Sequence, residues 1–126
     1  MAAFYRIDKQ SNLVVIHAEG VLTRRNFEEV RLQMMNDLDF DPQFSMLADC
    51  SAVTHVDLTA GEIRVLADTS PFDLTARRAI VARRDVVYGL ARMFEIVRSL
   101  RGDQHIRVFR NCNEALAWLF LKDQAA

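Results

Sequence analysis

The chain has 126 residues, 51% of them apolar and 26% charged, with a formal net charge of −1. That length suits one domain over 1–126, able to bury a core without disulfide or metal staples. No apolar run approaches bilayer-crossing length, and the opening MAAFYRIDKQ lacks the apolar stretch of a secretory signal, so a cytoplasmic protein without stable membrane insertion is expected.

The near-zero net charge hides an asymmetry. Residues 1–63 carry 5 basic and 10 acidic side chains, and residues 64–110 carry 10 basic and 5 acidic. Of the 16 basic residues 14 are arginine, so the second half reads as an arginine surface, suited to carboxylate and phosphate forks or to pairing with the acidic half.

In chain order, Phe4 to Asp8 reads as a strand, residues 9–12 as a polar turn and Leu13 to Glu19 as a second strand, together a hairpin that Gly20 ends. Thr23 is a plausible N-cap for a helix over 24–38, with Phe27, Val30, Met34 and Leu38 on one face, stopped by Asp41-Pro42. Phe44 to Cys50 is a third strand, followed by a polar loop with Asp49, Ser51, Asp57 and Thr59. Thr59 and Glu62 form a T-x-x-E capping box for a helix over 60–69, ended by Ser70-Pro71. A connector leads to a strand over 77–82, the loop Arg83-Arg84-Asp85 and a helix over 86–100. After Gly102-Asp103 come a strand over 105–110 and a last helix from Glu114 to about Lys122, capped by Asn111 or Asn113.

The order β-β-α-β-α-β-α-β-α predicts a single α/β domain. Its five-stranded mixed sheet has four parallel strands with right-handed crossovers and an antiparallel N-terminal edge strand. In such sheets chemistry gathers at the C-terminal strand ends. Four loops would converge there, carrying His17 and Glu19; Asp49, Ser51, Asp57 and Thr59; Arg83, Arg84 and Asp85; and Arg110, Asn111 and Asn113. Arg83, Arg84 and Arg110 make an anion- or ligand-binding rim.

A nucleotide cradle is not expected: there is no GxGxxG or GxxxxGKS/T, and only four glycines. Ser51, His55 and Asp49 lie too close in the chain for an assembled hydrolytic triad, and no nucleophile elbow is present. Cys50 and Cys112, read as buried reduced thiols at strand ends, and the scattered His17, His55 and His105 match no metal-ligand spacing. No catalytic residue, metal, cofactor or nucleic-acid partner is therefore assigned.

The central stretch Asp49-Cys50-Ser51-Ala52-Val53-Thr54-His55-Val56-Asp57-Leu58-Thr59-Ala60-Gly61 resembles the D-L-S-x-V-x-x-x-D-S-S-G-L motif of the STAS domain, the sulfate transporter and anti-sigma-factor antagonist family. Asp49, Ser51, Val53 and Asp57 keep their spacing, and the length and element order agree over most of the chain. Within that group the chain is most similar to the divergent SpoIIAA-like, STAS/CRAL-TRIO-related bacterial proteins. In signalling members an anti-sigma kinase phosphorylates the serine after the second aspartate. That position is Leu58 here, and Thr59 follows it.

The resemblance implies a SpoIIAA-like fold and a non-enzymatic regulatory or protein-interaction module. Asp49, Ser51, Asp57 and Thr59 would be its partner-binding or switch residues, with a kinase-like anti-sigma protein as partner. The alternative is a small-ligand or lipid-binding module using the strand-end rim, although a large lipid cavity is not expected at this length. Surplus apolar residues on the last two helices predict a homodimer through 86–100 or 114–122.

Overall fold

The computed structural model describes residues 2–121. The elements are β1 (Ala3–Asp8), β2 (Leu13–Thr23), α1 (Arg24–Met35), β3 (Ser45–Asp57), α2 (Ala60–Asp68), β4 (Arg78–Val81), α3 (Asp85–Leu100), β5 (Ile106–Phe109) and α4 (Cys112–Leu119). The sheet order is β1-β2-β3-β4-β5. β1 is antiparallel to β2 and the other three pairings are parallel, as the element order predicted.

Because the strands follow one another in a single direction, right-handed crossovers put every crossover helix on the same face. One face therefore meets α1, α2 and α3. There, Val14 packs with Val30 and Met34 of α1 and with Phe72. Residues one step out of phase, Leu13, Leu47, Ala79 and Val81, meet Ala115 and Leu119 of α4 on the opposite face. The period-two alternation of each strand separates the two cores.

The structure corrects several expected boundaries. β2 passes through Gly20, which takes φ +67°, and runs on to Thr23. β3 does not end at Cys50: residues 51–57 remain strand and pair with 19–23 across two register shifts. Thr54, His55 and Asp57 are exposed along this extension, while Val53 is buried against Ala18, Leu22 and Val87. α1 stops at Met35. The Asp37 carboxylate accepts the Asp39 N–H at 2.9 Å and the Tyr5 hydroxyl at 2.8 Å, turning the chain out of the helix. Leu38 consequently lies off the apolar face and is 100% exposed. α4 starts earlier than expected, at Cys112, with Asn111 as its N-cap. It ends at Leu119, short of Lys122, which lies outside the described residues. Neither cysteine is at a strand end: Cys50 is within β3 and Cys112 opens α4.

The second half is not simply an arginine surface. Arg78 is 1% exposed and Arg98 8%, and both grip Asp103, which is 2% exposed. Arg78 Nη1 and Nη2 donate to the two Asp103 oxygens at 2.7 and 2.6 Å, and Arg98 Nε donates to Oδ2 at 3.0 Å. Arg98 Nη1 also donates to the Ala67 carbonyl at 2.6 Å, tying the end of α2 to α3.

Candidate functional site

The four switch candidates fall into two places. Asp49 and Ser51 sit within β3, in phase with Leu47 and so on the α4 side of the sheet. Asp49 Oδ1 accepts the Ser51 N–H at 3.1 Å and its hydroxyl at 2.6 Å. His17 lies between carboxylates, with Nδ1 3.8 Å from Asp49 Oδ2 and Nε2 3.8 Å from Glu19 Oε2, and its ring is 5.1 Å from that of Phe4. The hydroxyl of Ser51 is thus committed to Asp49, and the nearby imidazole belongs to His17 rather than to the exposed His55. This is not the order of a hydrolytic triad, in which the imidazole stands between serine and carboxylate.

Asp57 and Thr59 occupy the C-terminal end of β3. Asp57 pairs with Thr23, the N-cap of α1, so the N-termini of α1 and α2 lie side by side. Thr59 caps α2: its Oγ1 accepts the Glu62 N–H at 3.1 Å, and Glu62 Oε1 accepts the Thr59 N–H at 3.0 Å. Arg24 Nη1 approaches Glu62 Oε2 at 3.9 Å. Asp57 and Thr59 are exposed, whereas the intervening Leu58 turns inward to line a cavity.

Of the expected arginine rim, Arg110 is held by its own surroundings, whereas Arg83 and Arg84 turn to solvent. Arg110 donates to the Arg83 carbonyl at 3.0 Å and to Asp85 at 2.7 Å, and lies 4.0 Å above the Tyr88 ring. Arg84 is the N-cap of α3 without a side-chain cap, and Arg83 and Arg84 are both exposed. Burial, and then the Asp49 carboxylate, push the Cys50 thiol up to about 12, and the same two causes raise that of Cys112. Both sulfurs are free thiols. Among the described residues no cluster of three His, Cys, Asp or Glu side chains could hold a metal ion.

The concavity lies elsewhere, between the sheet and its three crossover helices. α1 leans on β1 and β2, whereas α2 leans on α3. The wedge between them is a cavity of about 210 Å³ with almost wholly apolar walls. Its floor is Ile16, Met46, Ala48 and Ile80, and its walls include Phe27 of α1, Leu66 of α2 and Phe94 of α3. Small floor residues such as Ala48 fail to fill the space that α2 leaves by standing away from the sheet. The strand-end rim, where the sequence placed a ligand, is not part of this cavity. The only sequence signal was the run of small residues on strand faces opposite large helical ones.

No protein-family model matches the sequence, and no curated protein sequence does. Among solved structures, an uncharacterized protein of the DUF3478 family from Shewanella loihica PV-4, described as having a SpoIIAA-like fold, is similar with a TM-score of 0.60. The likeness covers 94% of each chain at 18% identity, a level that speaks for the fold alone. Together with the mixed five-stranded sheet and its four helices, it shows that this chain has a SpoIIAA-like fold.

Proposed function

We propose that the protein is a non-enzymatic binding module whose cavity between the sheet and α1–α3 takes a small apolar ligand. The observation that carries this reading is the cavity itself. An apolar cavity of about 150 Å³ suffices to bind benzene, and this one, at about 210 Å³, is larger and likewise apolar in its lining. A small-molecule site is typically an apolar concavity with a few polar groups at its border.

The test is thermal unfolding with decanol as probe. A ligand that binds only the folded state stabilises it, by about 2.7 kcal/mol at a hundredfold excess over Kd. The melting temperature is expected to rise with decanol, and Ala48→Phe, which fills the floor, is expected to abolish the rise. No rise in the parent protein would overturn the reading.

A second reading is supported at the paired N-termini of α1 and α2: a regulatory module that shows Asp57 and Thr59 to a protein partner, as anti-sigma-factor antagonists do. The inward turn of Leu58 supports a link between the two readings, because a ligand touching Leu58 would be felt at its exposed neighbours. In this scheme Asp49 and Ser51 hold the strand beneath His17, and Arg83, Arg84 and Arg110 flank the same edge of the sheet. Pull-down from the native host with and without Asp57→Ala tests it. A partner retained equally by both forms would count against this face.

A further inference from the structure

The cavity is apolar but not electrically neutral. The charged residues that line it are Arg31 and Arg78, and no aspartate or glutamate does so. The two arginines differ in what they can offer. Arg78 is locked: Asp103 takes both of its terminal nitrogens, and the Ala76 carbonyl takes Nε at 2.8 Å. Its partner carboxylate is shared with Arg98, so two guanidiniums face one carboxylate and one positive charge remains uncompensated beneath the cavity.

Arg31 is different. It stands half-buried on the α1 wall of the cavity, one turn from Phe27. Its neighbours on the same helix are paired at i, i+4, Arg24 with Glu28 and Arg25 with Glu29. Arg31 instead has Met35 at i+4, and its Nη1 reaches only the thioether sulfur at 3.4 Å. Among the described residues no carboxylate pairs with it. The cavity thus combines an apolar interior, a buried positive charge below it and a guanidinium fork at its border whose charge is unanswered. A guanidinium fork matches the geometry of an oxyanion. A low-dielectric wall strengthens its attraction for one.

We infer that the ligand is a single-chain amphiphile with an oxyanion head, its chain in the cavity and its head on Arg31. Asn26, Thr69 and Ser70 also line the cavity, but each is already held within the protein. Asn26 Oδ1 accepts from Thr23, Thr69 Oγ1 donates to the Leu66 carbonyl and Ser70 Oγ accepts the Phe72 N–H, which leaves Arg31 as the group for the head. This rests on the reading of the cavity as a ligand site, and it names the class of ligand. Carboxylate and phosphate heads share the chemistry.

The experiment compares decanoate, decyl phosphate and decanol, three probes with one chain and different heads, by calorimetric titration of the parent protein, Arg31→Gln and Arg31→Lys. In the parent, at least one of the two anions is expected to bind tenfold or more tightly than decanol, and the tighter anion identifies the head. Arg31→Gln is expected to reduce that preference to within about twofold. Arg31→Lys, which keeps the charge and loses the fork, is expected to restore part of it. Equal affinity for all three probes in the parent would overturn the proposal and leave the apolar cavity standing. So would an undiminished anion preference in Arg31→Gln. Binding of none of the three would remove the cavity reading itself. Arg31 is half-buried but holds no ion pair, its polar contact being the Met35 sulfur. Equal melting temperatures of the three forms without probe are the check that folding does not cloud the comparison.

Discussion

Arg78, Asp103 and Arg98 are the buried charged side chains among the described residues. Each arginine is anchored to Asp103 and also to a backbone carbonyl, so the carboxylate holds the start of β4, the end of α2 and the end of α3 at one point. Burial raises the Asp103 carboxyl. Hydrogen bonds from Arg78 and the His105 N–H, the Arg78 charge and the Arg98 hydrogen bond outweigh it, so the group lies below the usual carboxylate range. The sign of the pH effect follows. A carboxyl depressed on folding contributes stability above its unfolded value, near 3.9, and loses that contribution as pH falls through the lower folded value. The urea midpoint is therefore expected to drop below about pH 4, and Asp103→Asn is expected to flatten that drop. At neutral pH the same variant leaves two buried guanidiniums unpaired and is expected to cost about 3–5 kcal/mol. A midpoint unchanged by Asp103→Asn at pH 7 would contradict the network. In the sequence these three residues are two arginines of a basic half and an aspartate after a glycine. Only the contact between segments 25 residues apart distinguishes them from solvated charge.

The elements were legible wherever their determinants are local. The capping box at Thr59 and Glu62 is written in a four-residue spacing, and both of its hydrogen bonds form. Thr23 caps α1 in the same way, with Asn26 in the place usually taken by glutamate. Thr59→Ala is expected to lower stability by about 1 kcal/mol, measured as a shift in the urea midpoint. An unchanged midpoint would argue against the cap and make another task for the hydroxyl more attractive. The boundaries that were misplaced have non-local causes. Residues 51–57 are strand because 19–23 lie beside them, and the polar Ser51, Thr54, His55 and Asp57 interrupt the apolar run that marks the first half of the strand. Leu38 fits the helical period of α1, but the Asp37 turn, fastened by Tyr5 from β1, ends the helix first.

At the scale of the whole molecule, α3 keeps an apolar outer side. Val87 is buried, whereas Val86, Met93, Ile96 and Leu100 are exposed. Phe120 and Leu121, just beyond α4, are exposed as well. Exposed apolar residues on α3 and, on the other face of the sheet, beyond α4 are the ground for proposing a homodimer. Light scattering at micromolar concentration is expected to give about twice the monomer mass of 14.4 kDa. The monomer mass throughout a tenfold dilution series would reject it. The sequence by itself determined the element order, the strand directions and both threonine caps. These follow from hydrophobic period and short-range hydrogen bonding, which act within a few residues. Tertiary structure alone decided that β3 extends to Asp57, that Arg78 and Arg98 are buried on Asp103, and that α2 stands off the sheet to leave a cavity bordered by Arg31. Each depends on which distant side chains meet and how completely they fill the space between layers, and no local pattern encodes that.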